Sequence, residues 1–466
     1  MLPLFHVCLC LVGRSATCTF VTHGPLLPEL RNVDRDGTVA LVGAASNSNG
    51  QPLGAATWVP AAAKARWPQR EAERQCLLAA CRPGTADVLV GNLFSLDVLA
   101  VAERNGVPAI VVSPFWLTDP CPPGLLESVR EELPELAAVL DAAAAREAAP
   151  ADGALTWTLV RHWLWRTLLD DIGEWRERAL GLDPVPFVDD ACGASPRRAP
   201  TLVYALPRAL LPAAHRAALE ALVATEPAAV RVVGPLVAGP AAVVDSAAAS
   251  KLPPPTVYVG FGSMEAVGFV AADIAAALLR TLVLAVATAA VQAGWSALRV
   301  LVHAPDAERH PVADAVQSAD LAHGADLPLP ITSEALVGPL PDLRVVLAQE
   351  NAVLAIHHGG VGTVVAAARS AVAQLVVPIQ FDQADWAASV AAAGAGAATP
   401  LLRDWQWAGA TAAASTLGAV QRAARAALAC VGTPSLHRLA SAVEAEAQSA
   451  ADAVAELVAA AAGQVT

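Results

Sequence analysis

The stretch from His357 to Gln383, HHGGVGTVVAAARSAVAQLVVPIQFDQ, decides how the rest of the chain is read. An apolar segment of buried-strand type, Ala352 to Ile356, runs into it. Two histidines follow, then a turn in which Gly359, Gly360 and Gly362 strip side chains from the backbone. From about Thr363 to Ser370 the pattern is helical, and Gln374 to Val377 is a further strand. A strand that ends in a glycine turn and enters a helix offers unpaired N–H groups and the positive end of the helix dipole. That combination favours a phosphate or diphosphate. Thr363 is placed to cap the helix or to offer its hydroxyl, and His358 can donate to a departing phosphate. A strand, turn and helix with an internally satisfied histidine has the same local pattern, so the stretch decides only in company.

Working outward, Thr256 to Gly260 (TVYVG) is a strand that ends in a second glycine turn, Gly260-Phe261-Gly262-Ser263-Met264. Ser263 there offers a hydroxyl to another phosphate oxygen. Asp382-Gln383 sets a carboxylate beside an amide, a pair suited to neighbouring sugar hydroxyls. A long Ala/Leu helix from about Ala271 to Gly294 and the strand Leu298 to Val302 lie between. The first half alternates in the same way. Thr17 to Val21 is β-prone, and Asp87 to Val90, a helix from 95 to 103 and Val107 to Val112 make a βαβ unit. Leu155 to Leu180, with Trp157, Trp163, Trp165 and Trp175, reads as helices with an aromatic face, and Thr201 to Leu206 is a strand. The run GPLVAGPAAVVDSAAASKLPPP has little to pack and reads as a linker. The expected division is an α/β domain at 1–233, a linker at 234–255, a second α/β domain at 256–433 and a closing helical segment at 434–466 that packs back on the first domain. Ligands of such sheets bind beyond the carboxyl ends of the strands.

Composition narrows the classes. With 30 Lys+Arg against 43 Asp+Glu, the 466 residues carry a net charge of −13 and no basic block, which argues against nucleic acid as a partner. A hydrophobic content of 55 % allows large cores and excludes a mostly disordered chain. Much of it is alanine, so the mean hydropathy of +0.48 overstates the apolar character. The most suspicious apolar run, Leu282 to Val291, is shorter than the roughly 20 residues of a spanning helix. Eight cysteines, at 8, 10, 18, 76, 81, 121, 192 and 430, form no CxxC pair and no zinc spacing, so they read as reduced thiols. The amino-terminal MLPLFHVCLCLVG lacks a basic start and has Arg14 where a cleavage motif should begin. The expected location is the cytoplasm, with peripheral contact to a membrane left open.

Together and in this order, VYVGFGSM at 257–264, HHGGVGT at 357–363 and FDQADW at 381–386 resemble the nucleotide-sugar glycosyltransferases of the GT-B fold. The resemblance is to the sterol glucosyltransferases and the antibiotic aglycone glycosyltransferases in particular. EWRERALGL at 174–182 and Val232-Val233-Gly234-Pro235 extend it weakly over nearly the whole chain. It implies two Rossmann-like domains facing across a cleft. The second would hold a UDP-sugar, and the first would hold a lipophilic acceptor such as a sterol, a lipid or another small molecule. A hexose, glucose first among them, would pass to an acceptor hydroxyl with inversion. By resemblance Gly262, Ser263, His358, Gly359, Gly360, Gly362 and Thr363 face the donor diphosphate, and Asp382 and Gln383 hold the donor sugar. The nucleobase region falls at Pro341, Asp342 and Leu343. There the family places a proline followed by His or Gln, where this chain has Pro341-Asp342, so the choice of UDP over another nucleotide is the loosest part of the match. No metal and no cofactor besides the donor is implied.

The family begins with a strand and a glycine-rich loop whose His or Asp takes the acceptor's proton, three residues before a helix-starting proline. In this chain Pro3 to Cys10 and Thr17 to His23 look like that helix and the second strand. The expectation is a first domain lacking its first strand, with the catalytic base ahead of Met1 and His6 and His23 as the nearest substitutes. Phe115, Trp116 and the Trp-rich segment after Trp157 are candidate acceptor walls, with core packing as their plainer role. Three rivals follow. A non-catalytic sugar-nucleotide binder is motivated by the missing loop. A sugar-nucleotide epimerase of the same architecture would call for a carboxylate cluster that the sequence lacks. An interaction module would keep only the shell of the fold.

Overall fold

The computed structural model describes residues 8, 11–12, 16–23, 39–44, 67–92, 96–114, 138, 173–182, 201–225, 227, 230–237, 254–262, 272–304, 328–337, 342–380, 382–408 and 411–463. In the first half, β1 (Thr19–His23) and β2 (Ala40–Ala44) form a parallel pair. Helix α1 (Trp67–Ala80), β3 (Leu89–Asn92), α2 (Leu96–Asn105), β4 (Ala109–Ser113), β5 (Thr201–Ala205), α3 (Ala213–Thr225) and β6 (Val230–Val233) follow. Strands β3-β4-β5-β6 pair in that order, all parallel. Among the described residues no ladder joins β1 to β3. The strand read at Asp87 to Val90 lies two residues later, because the turn before β3 runs through Asp87.

The second half contains β7 (Thr256–Gly260), α4 (Ala272–Gln292), β8 (Leu298–Ala304), β9 (Ile331–Val337), α5 (Leu343–Gln349), β10 (Ala352–His357), α6 (Val361–Arg369), β11 (Ala373–Val376), α7 (Gln383–Ala392) and β12 (Gly396–Ala398). Six strands make one parallel sheet in the order β12-β11-β10-β7-β8-β9. The chain starts at the centre with β7 and winds outward through β8 and β9. It then returns to the other side of β7 and winds outward through β10, β11 and β12. The strand order reverses between β7 and β10, and there the connections diverge and leave a crevice above the carboxyl ends. All five residues of β7 and all four of β11 are buried, which is why their sequences run apolar without alternation.

Helix α4 corrects the reading of its sequence. Ile274–Gln292 is 19 residues with a mean hydropathy of 2.2, so the apolar stretch is not confined to Leu282 to Val291 and is long enough by itself to cross a membrane. Its apolarity has another use: 67 % of it is buried, with Leu278, Leu282 and Val286 in the main core. Residues Thr411–Ala412 form β14, an antiparallel partner of β13 (Trp407–Ala408). Helix α8 (Ala414–Leu428) follows. Helix α9 (Pro434–Ala462) starts on Thr433, whose hydroxyl accepts the Leu436 N–H, with proline at its first position. Its Leu436, Leu439 and Val443 belong to the core around the second sheet. Farther along, Ala450, Val454 and Ala455 pack with Ile110, Val112 and Val203 of the first.

Within the EWRERALGL segment Trp175, Arg176 and Leu180 are buried. Trp175 clusters with Leu77, Leu89 and Val101, and the Arg74 guanidinium lies 4.8 Å over its ring. Arg176 is buried and donates to Glu103 at 2.8 Å. Trp175 therefore takes the plain packing role. Phe115, Trp116, Trp157, Trp163 and Trp165 lie outside the described residues.

Candidate functional site

The two glycine turns meet at the strand-order reversal. His357, the last residue of β10, is in register with Gly260, the last of β7. His357 is fully buried and both ring nitrogens are used internally. Its Nδ1 accepts the Gly359 N–H at 3.1 Å, so the ring proton sits on Nε2, which donates to Gln374 Oε1 at 3.0 Å. Burial, with His358 beside it, lowers its pKa to about 3. The first histidine thus clamps the turn to β11.

The second histidine behaves differently. His358 is 5 % exposed, and its buried Nδ1 has no partner among the described residues. Burial lowers its pKa to about 4, so at neutral pH it is a neutral imidazole with one donor and one acceptor. The ring lies between the turns. A methyl built on Gly262 would stand 3.6 Å from its Cε1, and one on Gly360 would stand 2.4 Å from its Nε2.

The four glycines have distinct causes. Gly262 (φ +53°) and Gly359 (φ +97°) adopt backbone conformations that other residues resist. At Gly359 a methyl would also meet Val376 Cγ1 at 2.9 Å and the Gln383 carbonyl at 3.0 Å. Gly360 makes room for the His358 ring. Gly362 is exposed, and a methyl there would meet no atom of the described residues within 4 Å. Nothing inside the described protein requires it.

Helix α6 begins at Val361, two residues before the expected start, and Gly360 is its N-cap. Thr363 is therefore the third residue of the helix and not its cap. Capping rules look for a side-chain oxygen, and here the cap has none. The Thr363 and Val364 N–H groups return to Gly360 O at 3.0 Å. The Val361 and Gly362 N–H groups ahead of them have no acceptor among the described residues. Val361, Gly362 and Thr363 are exposed or half-buried, so the amino end of α6 is not plugged.

Asp382 and Gln383 come from the next connection, between β11 and α7. Gln383 lies against Gly359, which sets this pair beside the turn. Its Oε1 accepts the N–H groups of Ile379 (2.9 Å) and Gln380 (3.1 Å), so only its amide nitrogen remains for a ligand. Asp382 accepts the indole N–H of fully buried Trp386 at 2.9 Å. Burial raises its carboxyl to about 6, partly opposed by that hydrogen bond. Trp386, four residues after Asp382, lies within reach of that carboxylate by helical spacing. At the base region, Leu343 opens α5 and Asp342 caps it. Asp342 accepts the Arg344 N–H at 2.9 Å and the Arg344 guanidinium at 2.6 Å, so its carboxylate is held by its own helix. Ser263, Pro341 and His6 lie outside the described residues, and His23 is the last residue of β1. Among the described residues no group of three or more His, Cys, Asp or Glu could hold a metal ion.

No protein-family model and no curated protein matches the chain. Solved structures do. The glycosyltransferase of kitacinnamycin matches with a TM-score of 0.59 at 17 % identity, over 98 % of this chain and 95 % of that one. LpCGTa, solved in complex with UDP, matches at 0.54 and 17 %, over 98 % and 95 %. The spinosyn rhamnosyltransferase SpnG in complex with spinosyn aglycone matches at 0.52 and 17 %, over 98 % and 95 %. With parallel α/β sheets in both halves, the chain has the GT-B fold of these glycosyltransferases.

Proposed function

We propose that the protein transfers a hexose, glucose in the first instance, from a UDP-sugar to a hydroxyl of a lipophilic small molecule, with inversion. The observation that carries this reading is the convergence at the strand-order reversal. The turns after β7 and β10 flank a buried imidazole whose Nδ1 has no partner among the described residues, and the Asp382-Gln383 pair stands beside the second turn. The donor's diphosphate lies at the amino end of α6, on the Val361 and Gly362 N–H groups. The helix dipole and the neutral His358 stabilise the charge that builds there as the sugar leaves. This arrangement uses no metal. Ser263 and Thr363 supply hydroxyls to the diphosphate, and Asp382 and the amide of Gln383 meet the sugar. An acceptor hydroxyl then attacks the anomeric carbon in one in-line step, the diphosphate leaving with the electron pair of its C–O bond and the hydroxyl proton passing to a general base, for which His6 and His23 are the candidates. The UDP-bound and aglycone-bound neighbours support this pairing of donor and acceptor. They favour an aglycone-like acceptor over a sterol.

The test is incubation of the full chain with UDP-glucose and a panel of lipophilic alcohols, polyketide aglycones and sterols. UDP release and the configuration of the new glycoside are read. An inverted glycoside is expected. Saturable UDP binding without any product would replace this reading with that of a non-catalytic binder. A C2-epimerised sugar formed without acceptor would replace it with an epimerase.

A further inference from the structure

Helix α9 carries two acidic residues, two positions apart, that are fastened to different halves. Glu444 accepts from Arg369 Nε at 2.6 Å, and the Arg369 side chain is 1 % exposed against 16 % for Glu444. Arg369 is the last residue of α6. Glu446 accepts the N–H of Ala209 at 3.1 Å, in the short turn Arg208–Leu210 that follows β5. Two steps along a helix turn the side chain by about 200°, so the pair points to opposite sides. The backbones are close as well: a methyl on Gly234, just past β6, would stand 1.9 Å from the Glu446 carbonyl oxygen.

Both fastenings are costly to make. A buried ion pair repays its desolvation only with good geometry. Glu446 has one buried carboxylate oxygen without a partner among the described residues, and burial pushes its carboxyl upward against the pull of the Ala209 and Arg208 N–H groups and of the Arg208 and Arg216 guanidiniums. Apolar packing alone would hold α9 more cheaply, through Leu439 and Val443 on one side and Val454 and Ala455 on the other. Apolar contacts slide, whereas a hydrogen-bonded charge fixes register.

We propose that α9 sets the placement of the first half relative to the glycine turn, with Glu444 and Glu446 as positioning residues, one tied to each half. The proposal rests on the donor reading only for what is positioned. Helix α6 carries Arg369 at one end and the turn at the other, so a shift at Arg369 reaches Gly360 as a rigid body.

The test uses the full chain with E444Q, the double variant E444Q/E446Q and the reversed pair R369E/E444R. The unmodified chain is expected to unfold in one calorimetric transition and E444Q/E446Q in two, because the halves are uncoupled. For E444Q, the Kd for UDP should stay within about threefold while kcat for UDP-glucose consumption falls about tenfold or more, since small misplacements act on the chemical step. R369E/E444R should restore at least half of that kcat. A single transition retained in E444Q/E446Q, equal losses of UDP affinity and kcat in E444Q, or no rescue by the reversed pair overturns the proposal. Failure of the unmodified chain to bind UDP removes the donor reading, and the unfolding comparison still decides the tie.

Discussion

Gly362→Ala separates what the fold requires from what a ligand requires. The residue is exposed in the first turn of α6, and an added methyl meets no atom of the described residues within 4 Å. Glycine inside a helix costs roughly 0.5–1 kcal/mol relative to alanine. The variant should therefore gain up to about 1 kcal/mol, seen as a higher urea midpoint at unchanged slope. The same methyl stands where the diphosphate would approach the Val361 and Gly362 N–H groups. Overfilling a packed contact costs about 1–3 kcal/mol, which corresponds to a Kd for UDP raised roughly 5- to 150-fold. Urea unfolding and calorimetric UDP titration on one preparation read both effects. A more stable variant that binds UDP within twofold of the unmodified chain would refute the assignment of that bare backbone to a ligand. A less stable variant would refute the open space itself.

Gly359→Ala should go the other way: its φ of +97° costs about 1–2 kcal/mol and its contacts with Val376 and Gln383 about 1–3 more, so the urea midpoint should drop sharply. Asp382→Asn should stabilise the protein at pH 7 by about 1–2 kcal/mol, because a carboxyl raised to about 6 is ionised there against its burial, while Asn still accepts the Trp386 N–H. The same variant should change the sugar preference more than UDP affinity; an unchanged sugar profile removes Asp382 from the sugar site. His357 and His358, held near 3 and 4, stay neutral in the fold while the unfolded chain protonates them below about 6.5. Their contribution therefore falls as pH drops from about 6.5 towards 4, with Asp382 giving a smaller opposite slope between about 6 and 3.8. Unfolding midpoints at pH 7 and 5 measure this; equal midpoints for the unmodified chain and a steeper loss in His358→Gln would contradict it.

The middle of the parallel sheet of the second half was legible because β7 and β11 are buried on both faces and β7 and β10 run into glycine turns. What brings β7 beside β10, at the reversal, is pairing across about a hundred residues, and no local pattern encodes it. The glycines were legible as a group but not singly: Gly359 and Gly360 answer to neighbours in the fold, and Gly362 lacks such a neighbour among the described residues. The two histidines look equivalent in the chain. Gln374, on another strand, makes His357 a clamp, whereas the Nδ1 of His358 has no partner among the described residues. A polar residue inside the apolar run of β11 was the available sign of that bond. Gln383 read as a sugar ligand, yet its carbonyl oxygen shapes the loop it sits in, because backbone N–H groups there need an acceptor. The apolar length of α4 was underestimated because Arg280 interrupts the run without ending the helix.

The most direct measurement is a crystal structure of the full chain soaked with UDP. The diphosphate should lie within hydrogen-bond distance of a ring nitrogen of His358 and of the Val361 and Gly362 N–H groups, above the ends of β7 and β10. UDP bound elsewhere, or a site there that stays empty at saturating UDP, would contradict it.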